Sequence, residues 1–349
     1  MVSDARQSFI AADIDEEWDA FVAADRHGYH EQTAMFGRIR TRYGFECERA
    51  VVRQNGQIVG GAQVLAQSTP LGKFAKVFAG PLAAGDQPEI LARVVAELEQ
   101  LAKTKSYVSL RIDTLPTQQA ARDALSAAGF SRSDAWFGGK PSLVAPLDYS
   151  DDELLARLDR NTRKYIRAAV RAGIVIQAGE DVDLDDYYNL YLMTAAHQGF
   201  EPFARDYFAY IAKLLGPAGR FRLFVAYHDG EPVAARTNLI AGSRCYALWP
   251  GMHRGEKQRK LRATELLYYT AMRWARDQGC DLYDLGGTQE QKKKVARDTI
   301  DWPSPVRKFY GPCRYFVRHG MQLGWRIPWV RHKINGVAWR LGLRPRMPW

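Results

Sequence analysis

The sequence predicts a chain of two tandem α/β (α+β) units, each a mixed sheet flanked by helices. Three observations predict it. Two hairpin signals look alike, two helix-to-strand passages look alike, and both pairs keep the same spacing. Such self-similarity at a fixed offset is the mark of a duplicated unit. The length of 349 residues and a hydrophobic content of 46% suffice for two cores of ordinary size.

The hairpins run from Val51 to Ala62 and from Phe224 to Ala235, with Asn55-Gly56 and Asp229-Gly230 between apolar runs. Such dipeptides favour a tight turn with positive φ. Asn55 and Asp229 are 174 positions apart. Leu91 to Ala102 has the apolar spacing of an amphipathic helix and leads through Ser106 into Tyr107-Val108-Ser109-Leu110-Arg111-Ile112-Asp113. Thr264 to Ala275 does the same, leading through Cys280 into Leu282-Tyr283-Asp284-Leu285. Ser106 and Cys280 are again 174 apart. The order hairpin, strands, helix, strand gives a mixed sheet with helices on its faces.

The boundary is expected near Tyr149 to Asp152, because Pro146, Asp148 and Ser150 are turn residues and Ser150 to Glu153 reads as a helix start. This gives domains at 1–149 and 150–315, with 316–349 as a basic amphipathic helix packed on the first. A single helix is expected from Asp152 to Ala172, stopped by Gly173. Its Arg157, Arg160, Arg163, Lys164, Arg167 and Arg171 suit either a solvated face or a phosphate-binding surface.

Charge is concentrated at one end. Of the 49 Lys and Arg residues, ten lie from Trp302 to Trp349, where there is no Asp or Glu. The first 301 residues are therefore formally neutral, and the basic character belongs to a surface that attracts polyanions or an anionic membrane. No apolar run is long enough to span a membrane, and the first ten residues lack a secretory apolar stretch, so a cytoplasmic setting is expected. Four scattered cysteines with no metal spacing read as reduced thiols, and no metal is assigned.

Four segments in order carry a resemblance to a known family. They are Gln32 to Arg40, Gly129-Phe130 leading to Pro141 to Leu147, Arg163 to Ile174, and Leu282-Tyr283-Asp284-Leu285-Gly286-Gly287. Together they resemble the Fem family (FemA, FemB and FemX type) of aminoacyltransferases that act on peptidoglycan precursors, over about Trp18 to Tyr315. The resemblance implies tandem GNAT-like N-acyltransferase domains. It also implies transfer of an aminoacyl group from aminoacyl-tRNA to a precursor amine, with no cofactor. Near the C-terminus the family commonly has Phe-Lys-x-x-Phe-Gly. Here Val306-Arg307-Lys308-Phe309-Tyr310-Gly311 puts Arg307 at the lysine position with Lys308 beside it.

That chemistry needs a deprotonated amine and positive charge for a tetrahedral oxyanion, since the ester is already activated. Arg307 or Lys308 would stabilise the oxyanion or the tRNA acceptor end. Asp113 would orient or deprotonate the amine. Arg40, Arg167 and, as a substitute, Arg163 would hold acceptor phosphates. Tyr246 would hydrogen-bond substrate. Asp284 ends the strand that matches Asp113's, and Gly286 and Gly287 would permit a turn and close approach of substrate. Each of these residues also has a structural reading, as a core tyrosine, a strand-end cap or a surface ion pair. In the tail, Trp325, Trp329 and Trp339 alternate with Arg326, Arg331, Lys333 and Arg340. This suggests an anionic inner-membrane contact through 318–349, or a tRNA surface.

Two rivals stand beside this reading. One is an acyl-CoA-dependent N-acyltransferase acting on a cell-envelope polysaccharide or lipid amine. Against it, Gln258 to Thr264 is basic but has no glycine for a pyrophosphate loop. The other is a polyanion-binding protein without catalysis.

Overall fold

In the computed structural model the described residues are 15–69, 71–133, 141–179, 182–287, 290–301 and 303–311. They divide into two compact units, one of residues 15–133 with 303–311, the other of residues 141–301.

The first unit opens with helical residues 15–24 (α1), a 3-10 turn at His30–Gln32 and helix α2, Ala34–Arg42. Thr33 caps α2 by accepting from the Phe36 amide. Strands β1 (Glu46–Gln54), β2 (Gln57–Thr69), β3 (Gly72–Phe78) and β4 (Leu82–Ala83) follow. Then come α3 (Pro88–Thr104), β5 (Tyr107–Asp113), α4 (Gln119–Ala127) and β6 (Ser131–Arg132). Helix α3 presents Ile90, Leu91, Val94, Val95 and Leu98 to the core at three- and four-residue spacing, packed with Val52, Val64, Val77 and Leu110 of the strands.

The second unit contains β7 (Ser142–Pro146), α5 (Asp151–Arg157), α6 (Arg160–Arg171), β8 (Val175–Ala178), α7 (Leu184–Gln198) and α8 (Arg205–Leu215). It continues with β9 (Phe221–His228), β10 (Glu231–Ala241), β11 (Arg244–Met252), α9 (Glu256–Lys260) and α10 (Ala263–Asp277). It ends with β12 (Leu282–Asp284), α11 (Glu290–Lys293) and β13 (Asp298–Ile300). Its core joins Ile166 and Ala169 of α6 to Leu267, Ala271 and Met272 of α10 and to Phe224 and Tyr283 of the sheet. The last strand, β14 (Val306–Phe309), belongs to the first unit.

The repeat is visible in the sheets. The first runs β1-β2-β3-β5-β14-β6, with β4 also on β2; the second runs β9-β10-β11-β12-β7-β13, with β8 added beside β9. Along both, the successive pairings are antiparallel, antiparallel, parallel, antiparallel and antiparallel. The two hairpin turns match in detail: Asn55 and Asp229 have φ of 49° and 51°, and their following glycines 83° and 81°. Each sheet is also interrupted at the same place. Ala79, between β3 and β4, and Trp249, within β11, both take positive φ, at 48° and 39°. At these points the ladder to β2 or β10 slips its register.

Two expectations change. The boundary lies before β7, not near Tyr149, because β7 pairs with β12 and β13. The corresponding strand of the second repeat, β14, pairs with β5 and β6 of the first sheet. The fifth strand of each sheet therefore comes from the other repeat, which no local pattern reveals. The helix expected over 152–172 is two helices. Leu158 takes ψ of 152°, and Asp159 accepts from the amides of Asn161 and Thr162 to start α6 afresh. The start at Ser150 is as expected, with a reciprocal capping box to Glu153. The proposed helix at 316–349 lies outside the described residues.

Candidate active site

Three cations stand in a row across the first sheet. Lys76 of β3 is the register partner of Arg111 of β5, which is the partner of Arg307 of β14. Residues in register across neighbouring strands project to the same face. Lys76 and Arg111 are buried, at 5% and 6% exposure. Asp113, two residues beyond Arg111 and so on the same face, accepts from Arg111 Nε at 3.1 Å and Nη2 at 2.8 Å and lies 3.4 Å from Lys76 Nζ.

A second carboxylate comes from the turn before α2. Glu31 lies 3.9 Å from Arg40 of α2, whose guanidinium sits over the rings of Phe36 and Phe45 at 4.7 and 5.6 Å. The turn is anchored by Gln63 of β2, whose Nε2 donates to the carbonyls of Glu31 and Thr33 at 3.0 and 2.8 Å. Four cations (Lys76, Arg111, Arg307, Arg40) thus share one neighbourhood with two carboxylates.

The titration shifts follow from this arrangement. Burial pushes the Glu31 carboxyl well above the usual range, against the pull of Lys76 and Arg40. Burial pulls Lys76 down, with Asp113 opposing and Arg111 assisting. Burial and then the neighbouring Arg111 lower Arg307 to about 10, again with Asp113 opposing. Each charged form is held at a cost, so an anion placed here would relieve the excess of positive charge.

Three of the residues singled out from the sequence, Arg40, Asp113 and Arg307, therefore meet in one cluster. Lys308 does not. Successive strand residues face opposite ways, and its ammonium bonds to Glu99 of α3 and donates to the Ala128 carbonyl at 2.6 Å. It serves the packing of α3 and α4 rather than the cation row.

The second unit places the remaining residues differently. Asp284 is 4% exposed; it accepts from Ser142 Oγ and, at 2.8 Å, from the Gly286 amide. That makes it a cap for the turn after β12. Gly286 and Gly287 take φ of 62° and 70°, the left-handed region, which explains the paired glycines without a ligand. Tyr246 is buried at 3% exposure, in register with Asp284. Counted back from the interruptions at Ala79 and Trp249, Lys76 and its register partner Arg111 occupy the matching places in the first unit. Arg163 donates to the carbonyls of Ala156 and Leu158, each at 2.7 Å, and so closes the end of α5. Arg167 is exposed on α6.

Sequence reasoning missed Lys76, Arg111 and Glu31 as parts of the cluster, and Arg236 as a buried cation of the second unit. Arg236 is 3% exposed and stacks on Tyr268 with its guanidinium carbon 3.6 Å from the ring centroid. The available signal was a lone basic residue inside an apolar strand: Lys76 between Ala75 and Val77, Arg111 between Leu110 and Ile112. Among the described residues, no group of three or more His, Cys, Asp or Glu side chains is placed to hold a metal ion.

Two matching sheets, each with this interrupted strand, define a class by fold, a protein of two GNAT-like units. Residues 14–132 match the FemAB family, and residues 156–294 match the acetyltransferase (GNAT) domain family. The chain is thus similar to the Fem family over its first unit and to GNAT domains over its second, in line with the resemblance carried by the sequence segments. A lipid II:glycine glycyltransferase of Staphylococcus aureus strain MRSA252 is 25% identical over 235 residues, covering 64% of this chain and 56% of that protein. One from Staphylococcus epidermidis strain ATCC 12228 is 24% identical over the same length, with the same coverage. The chain thus spans a little over half the length of the curated relatives it matches. A crystal structure of FemX superposes with a TM-score of 0.76 at 19% identity, covering 87% of this chain and 98% of that one. The C-terminal domain of a putative lysylphosphatidylglycerol synthetase from Agrobacterium fabrum gives 0.57 at 13% identity, over 90% and 97%. Both structural likenesses concern the fold.

Proposed function

We propose that this chain transfers an aminoacyl group from aminoacyl-tRNA to an amine of a peptidoglycan precursor, UDP- or lipid-linked. The single observation that carries the reading is the row Lys76, Arg111 and Arg307 with Asp113 bonded to it. The names of the glycyltransferase relatives support the reaction class.

The donor is an ester, so bond formation needs an unprotonated amine and a place for negative charge. Arg307, half-buried at the end of the cation row, supplies charge for the oxyanion or for the acceptor's anionic groups. Asp113 takes the proton of the attacking ammonium, and Glu31, kept partly neutral by burial, offers a second proton acceptor nearby. Arg40 holds acceptor phosphate. Cytoplasmic action at the inner face of the membrane fits a lipid-linked acceptor.

The GNAT match over residues 156–294 favours one second reading, an acyl-CoA donor. Incubating the purified chain with charged tRNA, acetyl-CoA and a muropeptide acceptor decides between them. An aminoacylated product formed from charged tRNA alone is the expected result. An acetylated product would move the reading to the rival, and binding of tRNA without turnover would remove catalysis.

A further inference from the structure

The interruption of the first sheet leaves a gap that its own strands do not fill. The β2–β3 pairing runs as far as Lys76 opposite Leu65, and β4 resumes it with Leu82 opposite Gly61. Continued unbroken, the β3 register would set Phe78 opposite Gln63. A side chain from outside the sheet stands between them instead. Gln32 accepts through Oε1 from the Gln63 amide at 2.7 Å and donates through Nε2 to the Phe78 carbonyl. A carboxamide offers an acceptor and an N–H donor, as a peptide group does, so Gln32 supplies the bonds that a neighbouring strand would have made.

Gln32 is locked on every side. It is fully buried, its carbonyl accepts from Trp18 Nε1 at 2.5 Å, and its amide donates to the Tyr29 carbonyl at 2.9 Å. A Cβ at Gly80 would come within 3.4 Å of Gln32 Nε2, so the interrupted strand closes over the carboxamide. The hold is reciprocal, because the Gln63 carboxamide donates to the carbonyls of Glu31 and Thr33 on either side of Gln32. The peptide joining Glu31 to Gln32 is therefore fixed at its carbonyl by Gln63 and at its amide by Tyr29. That peptide sets the direction in which the Glu31 side chain leaves the turn toward Arg40. A continuous ladder would need no buried carboxamide here; the gap admits the turn, and the turn carries a carboxylate to the cations.

We propose that Gln32 is a positioning residue for acyl transfer: its carboxamide, set in the sheet as a substitute peptide, fixes the turn that presents Glu31 to Arg40 and the cation row. The consequence for catalysis rests on the aminoacyl-transfer reading, whereas the placing of Glu31 does not. Gln118 serves as a control. It is 1% exposed, and its carboxamide accepts from the Leu115 amide at 2.7 Å and donates to the Pro81 carbonyl at 3.1 Å. It supports the same interrupted segment, but among the described residues none of its hydrogen bonds reaches the Glu31 turn.

The test is a carboxyl-carbon NMR titration of Glu31 in the full chain, with its signal identified by loss in Glu31→Gln. In the parent it should titrate at about pH 7. In Gln32→Met the turn loosens, water reaches the carboxyl, and the midpoint should fall by about one pH unit or more. In Gln118→Met it should stay within about 0.3 unit, although melting temperature falls in both variants. For aminoacyl transfer, kcat of Gln32→Met should fall about tenfold or more while KM for charged tRNA stays within about threefold. Should Gln32→Met not fold, Gln32→Glu gives the answer. Protonated, its carboxyl keeps both bonds; ionised, it cannot donate to Phe78. Its melting temperature should approach the parent's at about pH 4.5 and fall below it as pH rises to about 8. A pH-independent difference there, a Glu31 midpoint unmoved in Gln32→Met or moved equally in Gln118→Met, or an altered midpoint with unchanged kcat would overturn the proposal. A parent that transfers nothing would remove the aminoacyl-transfer reading, and the titration alone would then decide whether Gln32 places Glu31.

Discussion

Arg307 faces Arg111 directly across the antiparallel pair of β14 and β5, although the two lie almost two hundred positions apart in the chain. The strand that brings Arg307 there follows the whole second unit, so the first unit's charge cluster is incomplete without the far end of the described chain. A chain ending at residue 302 should leave β5 without this neighbour, whereas one ending at Gly311 keeps it. Hydrogen exchange should show amides of Ser109 to Ile112 that face β14 losing protection in the shorter chain alone. Equal protection in both would mean that β14 does not complete the sheet.

Lys76 is a buried cation beside a second buried cation. Lys76→Met removes a desolvated charge and keeps the chain's length, so the ligand-free protein should gain stability, by about 1 kcal/mol. Acceptor KM should rise at the same time, about tenfold or more. Chemical denaturation and steady-state kinetics on one preparation read both. A variant that is less stable with unchanged kinetics would make Lys76 a structural residue.

Glu31 gives a pH signature. Its folded pKa is raised from the ordinary carboxyl value to about 7, so its contribution to stability is greatest below the unfolded pKa and is lost as pH rises through the folded one. In Glu31→Gln that loss is absent. The stability of the variant minus that of the parent should therefore climb between about pH 4.5 and 7, by roughly 2 kcal/mol. Melting temperatures measured in parallel across this range check it, and a flat difference would contradict the burial argument.

Asp159 separates α5 from α6. Asp159→Ala removes the acceptor for the amides of Asn161 and Thr162, and should cost about 1 kcal/mol in urea unfolding. An unchanged midpoint would mean that this cap does not stabilise the start of α6.

Much of the fold was legible because it is locally encoded. Asn55-Gly56 and Asp229-Gly230 dictate their turns whatever surrounds them, and the apolar spacing of Leu91 to Ala102 dictates a helix face. The boundary was not legible. Ser142 to Pro146 has the same strand character in either sheet, and only the pairing with β12 assigns it. The site was legible in part for the same reason. Arg40 and Arg307 stand out through motif position, and Asp113 through its place at a strand end. Lys76 and Arg111 become part of the site only once register places them side by side. Lys308 shows the opposite case: it is as basic as Arg307, yet the two-residue period of a strand sends it to the face where Glu99 waits.

The central claim is that Arg307, and not its neighbour, carries the positive charge used in transfer. Comparing kcat/KM for aminoacyl transfer from charged tRNA in Arg307→Met and Lys308→Met tests it most directly. The account predicts a loss of about a hundredfold or more for Arg307→Met, on the scale of removing one oxyanion donor, and a change within about threefold for Lys308→Met. Equal losses, or a larger loss at Lys308, would contradict it.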